Sequence, residues 1–249
     1  MTTLILAAML AAQPAPAAVP PSDNAARFEA CAKLAGTDPA AAEKQADAWR
    51  LANGGIPARQ CLGLAYVGLE RYGPAAAAFT QAAKDAEIQH DGRAAILWVL
   101  AGNASLAGGD ATVARTALSR ALALDMLIPA QAGEAYLDRA RAAVAANDPA
   151  AARADIDAAL KLVAADPMAW LLSATLARRQ GQYERAAKDI LEADRLAPGN
   201  AAIAYEDGNI AMASGKPDAA RAAWARAAAS KGDPAAERAA AALEANPAR

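Results

Sequence analysis

The side chains that could perform acid–base or metal chemistry are few in this sequence. Its only histidine, His90, stands in the segment QHDG, which is typical of a loop. A catalytic dyad needs an imidazole that a partner orients and that lies next to a nucleophile, and the neighbouring residues supply neither. One histidine and two cysteines far apart in the chain also fall short of a typical zinc site. We therefore expect no catalytic residue, no metal and no cofactor, and we interpret His90 as a solvated loop residue.

Two further features resemble active-site motifs only at first sight. Gly108 and Gly109 stand where a turn between two helices is predicted, not after a strand, so they do not indicate a phosphate-binding loop. Asp155 and Asp157 are two residues apart, which places them on opposite faces of a helix. We interpret both carboxylates as solvated surface charges.

The composition indicates a helical protein that is unusually rich in alanine. Apolar residues make up 55% of the 249 residues, whereas aromatic residues make up only 4%. Alanine favours the helix but buries little surface, so stability must come from many close helix contacts. The 25 basic and 27 acidic residues give a net charge of -2 and form no basic stripe. This argues against nucleic acid and anionic membrane surfaces as partners.

A 34-residue pattern organises the second half of the chain. It is clearest in PMAWLLSATLARRQGQYERAAKDILEADRLAPGN, residues 167–200, and a near copy follows directly. Small residues recur where two antiparallel helices would cross, and glycine and proline stand where the helices must end. The residues that carry the pattern are Trp170, Ala174, Gly181, Tyr183, Ala186, Ile190, Ala193, Leu196 and Pro198. On these residues the sequence resembles the tetratricopeptide repeat (TPR) family, which implies an all-α fold, a right-handed α-α superhelix (solenoid) of stacked helix-turn-helix units.

Five units of this kind are predicted, and the chain is divided accordingly. The units span residues 56–94, 95–132, 133–166, 167–200 and 201–233. A degenerate N-terminal helical hairpin, residues 25–54, and a C-terminal capping helix, residues 234–245, are expected to close the array. The large second-helix residues are 39 apart from Phe79 to Leu118 but 34 apart from Ile190 to Trp224. We expect the surplus to form loop extensions in residues 85–93 and 125–131.

The first residues predict export. An apolar run of nine residues precedes Ala15-Pro16-Ala17, so residues 1–18 resemble a secretory signal peptide, followed by a linker, residues 19–24. The run is too short to span a bilayer, so no membrane insertion is expected after cleavage. The leader carries no Lys or Arg before its apolar run, and a disordered Ala/Pro leader is the alternative. The protein is expected in the periplasm, or in the cytoplasm if the leader is not a signal.

The resemblance also implies a binding surface. In this family the first helices line a concave groove, and fixed places in each repeat face the ligand. The corresponding residues are Gln60, Leu64, Val99, Asn103, Leu137, Arg141, Leu171, Thr175, Arg178, Arg179, Tyr205 and Asn209. Such a groove suits an extended peptide backbone or a carboxylate. The Lys of the family's carboxylate clamp is missing from the matching places, which argues against chaperone-tail recognition, and Asn at the ninth place also occurs in repeats that bind nothing.

The two cysteines gain a possible role from the same resemblance. In the stacked array, Cys31 and Cys61 lie on neighbouring first helices, and their sulfur atoms would meet if the helix phase allows. A bond between them would close a loop of about 30 residues and contribute roughly 3 to 4 kcal/mol. Two small buried thiols are the alternative, and both interpretations stay open.

Together these features predict a non-enzymatic protein–protein interaction scaffold of the bacterial cell envelope. It would bind a protein or peptide segment in the concave groove of the solenoid. The alternative is a structural subunit of a larger envelope complex that uses its convex or terminal surfaces and has no groove ligand. No oligomeric state is predicted.

Overall fold

A computed structural model describes residues 23–247, which form thirteen α-helices and no strand. The helices are α1 Asp23–Thr37, α2 Pro39–Leu51, α3 Gly55–Gly68, α4 Tyr72–Ile88, α5 Ala94–Ala107, α6 Ala111–Ala123, α7 Pro129–Ala145, α8 Pro149–Leu162, α9 Pro167–Arg179, α10 Tyr183–Leu196, α11 Ala201–Ala213, α12 Pro217–Ala228 and α13 Pro234–Ala245. The predicted all-α solenoid is confirmed. The predicted signal peptide, residues 1–18, lies outside the described residues, as do residues 19–22. Asp23 and Asn24, the last two residues of the predicted linker, instead begin α1.

Local sequence determines where these helices begin and end. Asp38, Asp148 and Asp233 each accept a hydrogen bond from a backbone N–H of the first helical turn, at 3.0, 3.0 and 2.7 Å, and a proline follows each of them. The carboxylate satisfies a free N–H, and proline is preorganised for the first helical position. Gly109 and Gly181 follow the ends of α5 and α9 with φ angles of 82° and 71°, which glycine adopts without a steric penalty.

The helices form two layers. Consecutive helices pack against each other along the whole described chain. Odd-numbered helices also pack against the next odd-numbered helix at α1/α3, α5/α7, α9/α11 and α11/α13, whereas no two even-numbered helices of residues 23–247 pack as extensively. The odd-numbered helices therefore form the inner, concave layer, and the even-numbered helices form the outer, convex layer. None of the described helices is both long enough and apolar enough to cross a membrane.

In each repeat, a small residue on the first helix packs against a large residue on the second helix. The large residue follows the small one by sixteen positions. A Cβ atom on Gly63 would lie 2.5 Å from Phe79 Cε1, and one on Gly102 would lie 2.6 Å from Leu118 Cγ. Gly208 faces the ring of Trp224 more closely still. In the two remaining repeats the small residue is Ala140 or Ala174, which is fully buried, and its partner is an isoleucine. The missing side chain makes room for the large one, which is how the fixed spacing produces the hairpin.

We expect Gly208→Ala to lower the free energy of unfolding by about 1 to 3 kcal/mol, because the added methyl group overlaps the Trp224 ring in a closely packed core. The matched control is Gly36→Ala in α1, where a Cβ atom meets nothing within 4 Å. That change should leave stability unchanged or raise it by up to about 1 kcal/mol. Urea unfolding followed by circular dichroism measures both. Equal effects of the two substitutions would contradict this account of the spacing.

The longer early units differ from the prediction in one respect. The surplus residues were expected in loops at 85–93 and 125–131, but α4 continues to Ile88 and α7 already begins at Pro129. Both helices have 17 residues, whereas all the other described helices have 12 to 15. Much of the surplus is therefore additional helix. Alanine-rich sequence such as AAKDAEI favours helix wherever no proline or glycine interrupts it.

The interior contains charges that the sequence did not reveal. Asp155 is only 7% exposed, and Arg139 donates to its two carboxylate oxygens at 2.9 and 2.6 Å. The prediction that Asp155 is a solvated surface charge is wrong. The prediction considered only the helix that carries Asp155. The arginine that neutralises this carboxylate lies on the preceding helix, α7, sixteen residues earlier.

A second polar cluster joins α8, α9 and α10, and we call it the α8–α10 polar cluster. Its hydrogen bonds run from Arg153 Nη1 to Ser173 Oγ (2.7 Å), from Ser173 Oγ to Asp189 Oδ2 (2.5 Å) and from Arg185 Nη2 to Asp157 Oδ1 (2.5 Å). Burial lowers the pKa of Arg153, and the neighbouring Arg185 adds to that effect. The helices α8 and α9 pack less extensively than any other two consecutive helices, and these polar bonds add to the apolar cluster that connects their repeats.

Candidate binding groove

The predicted groove residues all lie on inner-layer helices, namely α3, α5, α7, α9 and α11. Their side chains differ in exposure, however, and this decides which of them can meet a ligand. Arg141 and Arg179 are exposed. The half-buried ones are Gln60, Leu64, Asn103, Leu171, Thr175, Arg178, Tyr205 and Asn209, and the buried ones are Val99 and Leu137.

Three of the predicted residues meet at a cavity of about 170 Å³ between α7 and α9, the α7–α9 pocket. Its lining consists of Arg141, Val144, Leu172, Thr175, Leu176 and Arg179. The arginines and the threonine are predicted groove residues, whereas the three apolar lining residues were missed. The pocket lies beside the apolar cluster in which Leu137 of α7 meets Ala169 and Leu176 of α9.

The two arginines give the α7–α9 pocket its polarity. Arg141 forms an ion pair with Asp138 of its own helix. Arg179 is exposed, and its guanidinium group forms no hydrogen bond or ion pair with any residue in the described range. A guanidinium group has five N–H donors, so both side chains keep donors for a ligand. An apolar floor beneath two arginines can hold an apolar side chain next to a carboxylate or a backbone carbonyl group.

Val99 and Leu137 are corrections to the predicted site. Their exposed fractions are 8% and 2%, and each packs in the hydrophobic core. Leu137 contacts the cluster around Ile156 and Leu176, whereas Val99 belongs to the cluster around Leu118. At these two fifth places the side chain points toward the adjacent outer helix, so it supports the groove without reaching a ligand.

Arg178 and Asn209 are also corrected, because the structure places them in an internal network. Arg178 Nε donates to Glu206 Oε1 at 2.6 Å, and Asn209 Nδ2 donates to Glu206 Oε2 at 3.2 Å. Trp224 Nε1 then donates to Asn209 Oδ1 at 3.2 Å. Glu206 is only 6% exposed. The network connects α9, α11 and α12, and its role is to hold repeats together.

Sequence reasoning missed Glu206, although a signal was present. It is one of only two charges in the helix AAIAYEDGNIAMA, and it follows Arg178 by 28 residues. Arg71 and Glu43, like Arg185 and Asp157, form ion pairs across the same interval. A search for opposite charges at that spacing would have assigned Arg178 to an ion pair instead of to the groove.

Three of the remaining predicted residues contact other parts of the protein. Leu64 and Leu171 pack against core clusters, and Arg238 of α13 lies 5.3 Å from the centre of the Tyr205 ring. Asn103 Oδ1 is buried and has no hydrogen-bond partner among residues 23–247.

Cys31 and Cys61 form a disulfide bond in the structure. The sulfur atoms are 1.93 Å apart, the Cα atoms are 6.1 Å apart, and both residues are fully buried. The bond connects the inner helices α1 and α3. Ala46 and Leu62 belong to the same apolar cluster, and Phe28 packs against it.

The titratable residues give no arrangement suited to proton transfer in the described part of the chain. His90 is exposed directly after α4, and residues 23–247 contain no group of three or more potential metal ligands. A hydrogen bond from Arg120 lowers the pKa of Glu87, and one from Arg93 lowers the pKa of Asp91. An arginine partner accounts for each shift, and it holds each carboxyl group in its charged form.

Solved structures share this fold at low sequence identity. PilF of Pseudomonas aeruginosa superposes with a TM-score of 0.67 at 16% identity, covering 89% of this chain and 100% of that one. YrrB, a TPR protein with an unusual peptide-binding site, has a TM-score of 0.58 at 17% identity, with coverage of 80% and 96%. MamA from Desulfovibrio magneticus RS-1 has a TM-score of 0.60 at 15% identity, with coverage of 74% and 95%. No curated protein sequence matches the chain.

A sequence comparison supports the same assignment independently of the structure. A family model described as tetratricopeptide repeat matches residues 62–127 and 137–201, which together are more than half of the 249 residues. The predicted resemblance is thereby confirmed. Proteins with this fold are generally non-enzymatic scaffolds for protein–protein interaction. Stacked helical hairpins, small-to-large pairing within each hairpin and the family match lead to one conclusion: the chain belongs to the tetratricopeptide repeat family.

Proposed function

We propose that this protein is a non-enzymatic interaction scaffold that binds a protein or peptide segment in its concave groove. The observation that carries the proposal is the α7–α9 pocket, where three predicted groove residues meet around one cavity. The solved structure of YrrB is that of a TPR protein with a peptide-binding site, which supports a peptide as the ligand.

The pocket favours a segment that places a carboxylate next to an apolar side chain. The carboxylate, from an acidic residue or a chain end, accepts hydrogen bonds from Arg141 and Arg179, which lie on neighbouring inner helices. The apolar side chain lies against Val144, Leu172 and Leu176. This arrangement is typical of ligand sites, in which a few polar groups orient the ligand over an apolar surface.

Charge reversal tests this proposal. We expect Arg141→Glu and Arg179→Glu each to weaken partner binding roughly tenfold or more, because each replaces a charged donor with a repelling carboxylate. The partner is first captured by crosslinking in intact cells and identified by mass spectrometry. Its affinity for each variant is then measured by isothermal titration calorimetry.

Arg195→Glu is the matched control. It changes the same charge on the outer helix α10, where the Arg195 side chain is 65% exposed and pairs with Glu192 of its own helix. Binding should be unaffected by this control. If Arg195→Glu weakens binding and the two pocket variants do not, the groove is not the binding surface.

The proposal includes location in the bacterial cell envelope. The Cys31–Cys61 bond supports it, because disulfide bonds persist in oxidising compartments such as the periplasm. The resemblance of residues 1–18 to a signal peptide supports it as well. Cell fractionation tests the location: recovery of full-length protein from the cytoplasm alone would refute it.

A structural subunit of a larger envelope complex is the second candidate. It is favoured by apolar side chains that are exposed outside the groove, such as Leu191 on the outer helix α10 (68%) and Ile88 at the end of α4 (78%). Under this alternative, Leu191→Glu should abolish co-purification with a partner while Arg141→Glu and Arg179→Glu have no effect.

A further inference from the structure

The turn between α2 and α3 contains the only asparagine of the sequence that a glycine follows, Asn53 before Gly54. Asparagine is chemically labile in this setting, because the backbone nitrogen of the next residue can attack its side-chain amide. A glycine has no side chain to hinder that attack. Asn53 is exposed, whereas Gly54 is buried. The turn is therefore a candidate site of covalent modification.

The fold keeps the backbone nitrogen of Gly54 from reacting. Asn53 has a φ of 62°, and the N–H of Gly54 donates to the carbonyl oxygen of Trp49 at 2.9 Å. Together these features form the Schellman motif that ends α2. The attack requires Gly54 N to lose its proton and to turn toward the side chain of Asn53, so the hydrogen bond to Trp49 has to break first. The reaction therefore proceeds only through local opening of this turn.

The disulfide bond restricts that opening, because the turn lies within the loop that the bond closes. The loop runs from Cys31 to Cys61 and contains the whole of α2. Trp49 of α2 contacts both of its neighbours in this loop. Arg27 of α1 lies 4.7 Å from the centre of a Trp49 ring, and a Cβ atom on Gly54 would lie 2.5 Å from Trp49 Cδ1. Opening of the turn displaces Trp49, and the bond between α1 and α3 opposes that displacement.

We propose that Asn53 is a site of spontaneous deamidation and that the Cys31–Cys61 bond suppresses the reaction. In the first step, Gly54 N forms a bond to the side-chain carbonyl carbon of Asn53. The carbon–nitrogen bond of the side-chain amide breaks, and ammonia leaves with the proton of the backbone nitrogen, which produces a cyclic imide. Water then adds to one of the two imide carbonyl carbons and opens the ring. The product is aspartate or isoaspartate.

Either product changes the turn. The new carboxylate lies at the C-terminal end of α2, where the helix dipole disfavours negative charge. Isoaspartate also lengthens the main chain by one methylene group. The turn has little room for this change, because a Cβ atom on Gly54 would already lie 2.5 Å from Trp49 and 2.6 Å from Ala58. Deamidation of the reduced protein therefore weakens the packing of α2 on α3 even after the cysteines are oxidised again.

The test measures deamidation at Asn53 by peptide mapping and mass spectrometry while the full-length protein is incubated in mildly alkaline buffer. We expect the Cys31→Ala/Cys61→Ala variant to form aspartate and isoaspartate about tenfold faster than the oxidised wild-type protein, because its turn opens more often. Wild-type protein that is kept reduced with dithiothreitol should react as fast as the variant.

Two comparisons distinguish this proposal from a general effect of low stability. Asn147 follows α7 in the same geometry, with a φ of 57° and with the N–H of Asp148 donating to the carbonyl oxygen of Ala143 at 2.8 Å, but no glycine follows it. Asn147 should stay unmodified in every sample. Gly208→Ala, which destabilises the other end of the solenoid, should leave the rate at Asn53 unchanged.

Urea supplies a second measurement in case the cysteine variant does not fold. Below the unfolding transition of the oxidised protein, the rate of deamidation should rise in parallel with hydrogen exchange of the Gly54 amide, since both need the same opening. The proposal is overturned if the oxidised and reduced proteins deamidate at equal rates, or if Asn147 reacts as fast as Asn53. It is also overturned if the rate at Asn53 does not follow the exchange of the Gly54 amide.

Discussion

Replacing Arg178 with alanine is expected to lower the free energy of unfolding by about 3 kcal/mol. The substitution removes the guanidinium group 2.6 Å from Glu206 Oε1 and leaves a carboxylate that is 6% exposed without its cation. We expect the lower end of the usual range for breaking a buried pair, because Asn209 Nδ2 still donates to Glu206. Urea unfolding followed by circular dichroism provides the measurement.

Two further variants separate the ion pair from a general effect of losing arginine. Arg178→Met combined with Glu206→Leu should recover most of the stability, since an apolar pair of similar volume can replace a buried ion pair at little cost. Arg195→Ala removes an exposed arginine and should leave stability almost unchanged. If Arg178→Ala unfolds like Arg195→Ala, then Arg178 is free for a ligand and the original groove prediction is restored.

Replacing both cysteines with alanine is expected to lower stability by roughly 3 to 4 kcal/mol. The bond closes a loop with a sequence separation of 30, and the chain-entropy model gives about this value for such a loop. Because each repeat packs only against its neighbours, the loss should concentrate at the N-terminal end. Hydrogen exchange measured by mass spectrometry should therefore show faster exchange in α1 and α2 and little change beyond α7.

Reduction supplies the control for the disulfide prediction. Dithiothreitol should destabilise the wild-type protein by a similar amount and should have no effect on the double alanine variant. If mass spectra of the alkylated protein agree before and after reduction, the bond is absent from the mature protein. The cysteines would then be two buried thiols, and the support they give to location in the envelope would be lost.

The architecture could be predicted from sequence because it depends on spacing alone. An alanine or glycine sixteen residues before a large apolar residue is a geometric requirement of each hairpin, and Gly63 with Phe79 meets it as visibly as Ala174 with Ile190. The helix boundaries could be predicted for a similar reason, because an Asp-Pro pair starts a helix and a glycine ends one through interactions within a few residues. The extra turn of α4 was missed because alanine-rich sequence continues a helix until a proline or glycine ends it, and the early start of α7 was missed although Pro129 suits the first helical position.

The groove could be predicted only in part, because a repeat position fixes where a Cα atom lies but not what its side chain meets. Arg141 and Arg179 stay predicted ligand contacts, because both are exposed and neither is paired with a carboxylate of another repeat among the described residues. Arg178 occupies an equally suitable position, yet Glu206 of the next inner helix holds it. Leu137 was misassigned for the same reason, since its surroundings come from α8 and α9. Residues of neighbouring repeats decide whether a side chain is free to meet a ligand, and the pattern of a single repeat does not show which residues those are.

The α8–α10 polar cluster has a mechanical consequence. Among consecutive described helices, α8 and α9 have the least extensive contact, and charged groups add to the apolar cluster that spans them, so we expect this joint to bend more easily than the others. A segment that contacts Arg141 and Arg179 at once spans the same joint from the concave side. Ligand binding would therefore fix the angle between these two repeats and reduce the bending of the superhelix.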